Sequence, residues 1–259
     1  MKTLNLVGPD AVEVADRLVP RLDGRVATVE TLPETAARDT DAGAAYGLSP
    51  DGSWIGAGDG RDLPDLLDDL VPEFDYALTV GFADARLPTV AIGDADPAGD
   101  AILTLADAAA DLDPVLDAAA DLDPRITLES LVERAKASPL AERSGAIATF
   151  TGRVRVKDAA DDTPTTHLEF EKYEGVAADR MRAIREELEA RDGVFEVLMH
   201  HRTGVIREGE DIVFVVVLAG HREEAFRTVE DGINRLKDEV PIFKKETTEN
   251  EEFWIHEQP

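Results

Sequence analysis

Cysteine is absent from this 259-residue sequence, and its absence removes several kinds of chemistry. The chain forms no disulfide bond, offers no thiolate nucleophile and holds no cysteine-ligated zinc or iron–sulfur cluster. Any sulfur chemistry must therefore use sulfur that another molecule brings. Because there are only five histidines as well, we expect neither a metal site nor a bound cofactor.

Long apolar runs are also missing. No segment reaches the roughly 18 consecutive apolar residues that a membrane-spanning helix requires. The apolar stretch from Met1 to Gly8 is too short for a signal peptide. We therefore expect a cytoplasmic protein.

Positive charge is scarce, with 27 basic residues against 55 acidic ones and a formal net charge of -28. A hydrophobic content of 43% is nevertheless too high for a disordered chain. The acidic excess is mostly aspartate, and arginine is preferred to lysine, which is typical of a halophilic, high-salt cytoplasm. Such a surface serves solvation and disfavours nucleic acid and anionic membranes as partners.

The charge is unevenly distributed along the chain. Residues 1–124 hold 26 acidic and 7 basic residues, whereas the rest hold 29 and 20. The sequence AAADLDP occurs at 108–114 and again at 118–124, which predicts helical turns in a spacer. We therefore predict an α/β domain over 1–105, an Ala/Asp-rich linker over 106–125 and a second domain over 126–259.

The first domain begins like a nucleotide-binding domain but lacks the residues for that function. A strand over Thr3–Val7 is followed by Gly8 and a helical pattern, where a phosphate-binding loop would lie. The fifth to seventh positions after Gly8 hold Glu13, Val14 and Ala15 instead of glycine, lysine and serine or threonine. Nucleotide binding is therefore disfavoured.

The rest of this domain resembles a known family. A strand–turn–strand pattern over Tyr46–Ala57 precedes the segment DYALTVGFADARLPTVAI, whose first strand ends in Gly81-Phe82. This layout resembles the GTP-binding molybdopterin-guanine dinucleotide biosynthesis adapter family over about the first 95 residues. The resemblance implies a degenerate P-loop-like α/β domain; an unrelated α/β fold is the alternative.

In the second domain, a buried strand over Asp211–Gly220 leads into an amphipathic helix that Pro241 ends. The apolar stripe of this helix consists of Phe226, Val229, Ile233, Leu236 and Val240. His221 and Arg222 stand at its N-terminus, where free amide hydrogens and the helix dipole favour an anion. A plain helix-terminal role for His221 is the alternative.

Lysines cluster at the far end of this helix. The chain has seven, at Lys2, Lys136, Lys157, Lys172, Lys237, Lys244 and Lys245. In a lysine-poor protein, the three between 237 and 245 are candidates for chemistry. The alternative is that they offset the nearby charges of Asp238, Glu239 and Glu246.

A second group of cations follows a strand. Ala146–Thr151 reads as a buried strand, and Gly152 predicts a bend that presents Arg153 and Arg155 on one side. Two arginines beside a glycine are typical of anion binding, although arginine is also the ordinary surface cation of such a protein. His200 and His201, at another strand end, fit packing better than catalysis.

Five segments in the second domain together identify a family. They are TFTGRVR, LEFEKYEG, HRTGVIREGEDIVFVVV, GHREEAF and RLKDEVPIFKKE. In this order and spacing they resemble the large, catalytic subunit of molybdopterin synthase, over roughly Ile126–Trp254. The resemblance implies an α/β hammerhead-like fold, so that the whole chain is α+β with a small α/β domain first.

The resemblance also implies an activity. The family converts cyclic pyranopterin monophosphate to molybdopterin as a sulfurtransferase, inserting two sulfurs. A ubiquitin-like small subunit delivers them as a thiocarboxylate on its C-terminal Gly-Gly, and the enzyme is a heterotetramer with a homodimeric core. By position, the implied substrate-binding residues are Phe150, Arg153, Val154, Arg155, His221, Arg222, Lys237, Lys244, Lys245 and Glu246.

Two lysines are implied to be catalytic. Lys237, which we expect to be partly buried beside Ile233 and Val240, lies next to the carrier's terminal carbonyl and acts in proton transfer or as a nucleophile. Lys244 stabilises developing negative charge. An amine beside an activated acyl group also predicts an isopeptide bond between one of these lysines and the carrier.

The alternative function is that of a non-enzymatic adaptor. In it, the second domain is an inactive synthase fold that docks ubiquitin-like proteins. Retention of Arg155, His221, Lys237 and Lys244 disfavours this reading. A generic acyl- or phosphoryl-transfer enzyme is disfavoured because no nucleophile elbow, P-loop or metal cluster is present.

Overall fold

The structure, a computed structural model, describes residues 1–32, 43–157, 159, 162–248 and 252–255. The chain divides into two compact units, Met1–Ile126 and Thr127–Pro259, next to the boundary that the charge distribution predicts. No helix within the described ranges is long and apolar enough to cross a membrane.

The first unit is an α/β domain, as predicted. Its elements are β1 (Lys2–Val7), α1 (Ala11–Leu18), β2 (Val26–Glu30), β3 (Ala44–Leu48), β4 (Trp54–Gly58), α2 (Leu63–Leu70), β5 (Tyr76–Val80), β6 (Thr89–Ile92), β7 (Leu103–Leu105) and α3 (Asp113–Asp121). Five strands form a parallel sheet in the order β2-β5-β1-β6-β7, and β3 pairs with β4 as a separate hairpin.

One polar group lies in the middle of this sheet. The fully buried Asn5 donates to the Thr89 hydroxyl at 3.1 Å and to the Phe82 carbonyl at 3.0 Å, and it accepts from the Thr79 hydroxyl at 2.9 Å. Because every buried polar atom here has a partner, the network does not carry the cost of an unpaired group. After β1, Gly8 has a φ of 142°, and a Cβ there would lie 2.3 Å from the Ile92 carbonyl oxygen.

The segment 106–125 differs from its prediction as a linker. Residues Asp113–Asp121 form α3, and Leu112, Val115 and Ala119 are buried in the core of the first unit. The alanine and leucine residues of the repeat therefore pack inside a domain, which composition alone does not distinguish from a spacer.

The second unit also mixes helices and strands, which confirms the predicted α+β class. Its elements are α4 (Leu128–Lys136), β8 (Ala146–Arg153), β9 (Thr165–Lys172), α5 (Glu174–Glu189), β10 (Val194–His201), β11 (Gly204–Arg207), β12 (Asp211–Ala219), α6 (Arg222–Glu239), β13 (Ile242–Thr248) and β14 (Glu252–Ile255). Two sheets result, with strand orders β10-β12-β8 and β11-β9-β13-β14.

The core of the second unit lies between these sheets and the helices. Strand β12 is buried from Val213 to Ala219, as its continuous apolar sequence predicts. The predicted stripe of α6 is buried with one exception, Phe226, which is 66% exposed. The helix ends at Glu239, just before Pro241.

The bend predicted at Gly152 is not observed. Strand β8 continues to Arg153, and the irregularity lies on the neighbouring strand, where Ile212 is an extra residue between the partners of Arg153 and Gly152. A Cβ on Gly152 would lie 2.6 Å from Cγ1 of Val213, so the glycine permits close packing of the two strands.

Candidate active site

A cavity of about 590 Å³ opens in the second unit, beside the end of α6 and strands of both sheets. It is lined by Phe150, Thr151, Gly152, Arg153, Arg155, Thr165, Leu168, Phe170, His201, Ile212, Val213, Ile233, Leu236, Lys237, Ile242, Lys244 and Glu246. This volume suits a small molecule.

The charges around this cavity are mostly positive. Among the residues that the structure describes, its lining holds two arginines, two lysines and one carboxylate. The chain as a whole has a net charge of -28, so the cavity reverses the sign of its surroundings. Cationic hydrogen-bond donors in this arrangement favour an anion such as a phosphate.

Arg153 is anchored at the end of β8. Its Nε lies 3.2 Å from Oδ1 of Asp211, and its guanidinium also donates to the Gly209 carbonyl. Arg155 follows two residues later and lines the same cavity, as the predicted spacing requires. Val154 between them is 3% exposed and belongs to the hydrophobic core. This position does not support its assignment as a substrate-binding residue, because its side chain is buried in the core and does not line the cavity.

Lys244 and Lys245 are neighbours in strand β13, and their side chains point to opposite sides of it. Lys244 and Glu246 line the cavity, and Glu246 accepts a hydrogen bond from the Thr165 hydroxyl. Lys245 is not among the lining residues. Its Nζ lies 3.8 Å from Oε2 of Glu169 and 5.8 Å from the centre of the Trp254 ring. The structure therefore assigns Lys245 a surface contact instead of a place in the cavity.

Helix α6 brings only one of its two predicted cationic ends to the cavity. Lys237 in its last turn lines the cavity beside Ile233 and Leu236. Lys237 is exposed, which contradicts the partial burial expected for it. His221 and Arg222 are exposed at the start of the same unbroken helix and do not line the cavity.

Eleven of the 17 described lining residues were not identified as site residues from the sequence, among them Thr165, Phe170 and His201. Phe170 and His201 contact each other edge to face, with 4.9 Å between ring centres. The alternation of β9 could have placed Phe170 and Leu168 on one side, but no sequence signal pairs that strand with His201.

The two adjacent histidines have different surroundings. His200 stacks on Phe214 and does not line the cavity. His201 is 7% exposed, and its Nδ1 lies 2.7 Å from the Arg202 carbonyl oxygen. Burial, aided by Lys172 and opposed by this hydrogen bond, lowers the pKa of His201 to about 4. The imidazole is therefore neutral near pH 7.

Comparisons with known proteins agree on the second unit. The MoaE protein family matches residues 121–239. A protein of Haloferax volcanii, named probable molybdopterin synthase, is 63% identical over the full length of both chains. The molybdopterin synthase catalytic subunit of Pyrococcus abyssi is 35% identical over 48% of this chain and 82% of its own length.

Solved structures give weaker likenesses. A complex of subunits 1 and 2 of molybdopterin-converting factor from Helicobacter pylori contains a chain 22% identical over 51% of this chain and 86% of its own, with a TM-score of 0.43. A MobB protein homolog from Bacillus stearothermophilus is 18% identical over 45% of this chain and 94% of its own, with a TM-score of 0.34. The kinship of the first unit with the adapter family therefore stays a prediction.

Proposed function

This chain belongs to the family of molybdopterin synthase catalytic subunits, and we propose that it inserts sulfur into a cyclic pterin phosphate to make molybdopterin. The substrate is cyclic pyranopterin monophosphate, and the two sulfurs arrive as thiocarboxylates on the C-terminal Gly-Gly of a ubiquitin-like small subunit. The chain acts as a sulfurtransferase that has no sulfur nucleophile of its own, in keeping with its lack of cysteine.

The observation that carries this proposal is the grouping of cations in one cavity. Arg153, Arg155, Lys237 and Lys244 come from three separate elements or their ends and line the same space. A phosphorylated substrate and a negatively charged thiocarboxylate both require such donors. The apolar side chains of the cavity, among them Phe150 and Phe170, suit a flat heterocycle.

The two lysines have different roles. Lys237, in the last turn of α6, meets the carrier's terminal carbonyl and acts in proton transfer or as a nucleophile. Lys244 stabilises negative charge that develops on the thiocarboxylate or the phosphate. Glu246, held by Thr165, is the carboxylate beside them.

The working enzyme is a homodimer in which each cavity is completed by His221 and Arg222 of a second copy. Within one chain these residues are at the wrong end of α6. Phe226, 66% exposed one turn further along, and Ile147, 37% exposed, provide apolar surface that a second copy can cover. Two small subunits on this dimer give a heterotetramer.

One assay tests the function. Purified chain is supplied with the thiocarboxylated carrier and cyclic pyranopterin monophosphate, and formation of the dithiolene product is measured. Product that requires all three components supports the synthase. A chain that binds the carrier but forms no product would instead be the adaptor.

A further inference from the structure

The cavity contains more hydrogen-bond donors than acceptors. Its four cations can only donate, whereas a pterin ring carries N–H and amino donors that need acceptors. Among the described side chains of the lining, the acceptors are Glu246, two threonine hydroxyls and His201. Glu246 already accepts from Thr165 with one oxygen and keeps the other, whereas His201 offers a neutral ring nitrogen as an acceptor.

His201 lies on a wall that both sheets form. In one sheet it pairs with Val213, which pairs in turn with Gly152, so that it stands two strands, or about 10 Å, from the strand that carries Arg153. Its ring contacts Phe170 of the other sheet, and Phe170 is the strand partner of Lys244. The imidazole therefore shares a sheet with the strand of Arg153 and contacts the strand that pairs with that of Lys244.

The hydrogen bond of His201 decides which nitrogen can accept. A carbonyl oxygen only accepts, so Nδ1, which lies 2.7 Å from the Arg202 carbonyl, carries the hydrogen. Nε2 then has its lone pair available, and no hydrogen bond joins it to the described residues. Nε2 is not among the fully buried side-chain atoms that lack a partner in the described part of the chain, so it is accessible to a ligand or to water.

Burial keeps His201 uncharged. Burial, and to a smaller extent the charge of Lys172, opposes a second proton on the ring and lowers the pKa of His201 to about 4. A group with this pKa is a poor base at pH 7 but a permanent neutral acceptor. The geometry therefore fits binding better than proton transfer.

We propose that Nε2 of His201 accepts a hydrogen bond from an N–H group of the pterin ring and so fixes the ring's orientation in the cavity. This inference rests on the proposed function. The cations hold the phosphate and the carrier terminus, and His201 recognises the heterocycle.

The test compares substitutions at two adjacent histidines. His201→Leu removes the acceptor but keeps an apolar side chain against Phe170, and His201→Gln retains an acceptor. His200→Leu is the matched control, because His200 does not line the cavity. Equilibrium binding of cyclic pyranopterin monophosphate and of inorganic phosphate is measured, together with the KM for the thiocarboxylated carrier.

We expect His201→Leu to weaken pterin binding about tenfold, the effect of one lost hydrogen bond, and His201→Gln to recover most of it. Phosphate binding and the carrier KM stay within about twofold of wild type, as for a residue that contacts only the ring. Should the leucine variant not fold, as judged by circular dichroism, His201→Met takes its place.

Wild-type pterin affinity in a folded His201→Leu or His201→Met variant overturns the inference, and so does an equal loss of pterin and phosphate binding. Failure of the proposed function looks different, because the wild-type chain then forms no dithiolene product with substrate and carrier supplied. The binding comparison still decides the role of His201 in that case, since it needs no turnover.

Discussion

Arg222 and Lys237 lie at opposite ends of one unbroken helix, fifteen residues apart. At 1.5 Å per residue, this places them about 22 Å from each other along the helix axis, much further than the length of a pterin. One chain therefore cannot direct both residues at the same substrate.

Mixed dimers test whether two chains share the site. Arg222→Ala and Lys237→Ala variants are each expected to be inactive as homodimers. Mixing them restores about a quarter to half of wild-type activity, because one cavity of each mixed dimer then receives intact residues from both chains. Product formation is measured after co-refolding, and no recovery would contradict a shared site.

The two cavity lysines are expected to be essential, in contrast to their neighbour. Lys237→Ala and Lys244→Ala each lower kcat about 100-fold or more, because the first removes the amine that acts in proton transfer or as a nucleophile and the second removes the charge that stabilises the developing anion. Lys245→Ala is the control and stays within about twofold, since Lys245 contacts Glu169 and Trp254 instead. Full activity in a Lys237→Ala, Lys244→Ala double variant would remove the basis of the proposed function.

An acylated lysine is expected when chain and carrier are made together. The neutral amine of Lys237 or Lys244 can attack the carbonyl carbon of the carrier's thiocarboxylate; an isopeptide C–N bond forms, the C–S bond breaks, and sulfur leaves as hydrosulfide with the amine proton. Peptide mass spectrometry should find a glycyl remnant on one of these lysines and none on Lys136, which pairs with Glu133 on α4. Consistent absence of the remnant from both cavity lysines counts against this reaction.

Two glycine substitutions are expected to change the stability of the second unit in opposite directions. Gly152→Ala destabilises the second unit by about 1–3 kcal/mol, because the new methyl group would lie 2.6 Å from Val213. Gly175→Ala stabilises it by about 0.5 kcal/mol, since a Cβ there meets nothing within 4 Å in helix α5. Denaturant unfolding measures both, and a stable Gly152→Ala variant would show that the strands can separate at no cost.

The pH dependence of stability contains a contribution from His201. Its pKa is 6.5 in the unfolded chain and about 4 in the folded one, so between these values the unfolded state binds more protons. The histidine therefore lowers the free energy of unfolding as the pH falls, by about 2 kcal/mol at pH 5. On going from pH 7.5 to 5, His201→Gln should lose about 2 kcal/mol less than wild type; equal losses would contradict the burial of a neutral ring.

Local patterns predicted much of the second unit. The continuous apolar run of β12 and the three-four spacing of α6 are strong signals, and both elements are observed. The sequence also pointed to the lysines of the cavity, because lysine is so rare in this chain that a cluster of three stands out. Strand β13 was not predicted, since its residues IFKKETT are mostly polar and its pairing with β9 is long-range.

Because β13 was not predicted, the sequence did not distinguish the positions of Lys244 and Lys245. Neighbouring side chains of a strand point to opposite sides, so in β13 Lys244 lines the cavity and Lys245 does not. Val154, just after the end of β8, is buried in the core, whereas its two flanking arginines line the cavity. His201 was read as a packing residue because its contact with Phe170 joins two sheets, and no periodicity within one strand reveals such a contact.

The reversed sign of charge in the cavity has a kinetic consequence. An anionic substrate that approaches a chain of net charge -28 is repelled at long range and attracted only once it reaches the four cations. Because the Debye length shrinks from about 10 Å at 0.1 M salt to about 3 Å at 1 M, added salt screens the distant repulsion before it weakens the short contacts. Capture of the substrate is therefore expected to accelerate with ionic strength, the reverse of enzymes whose whole surface attracts their ligand.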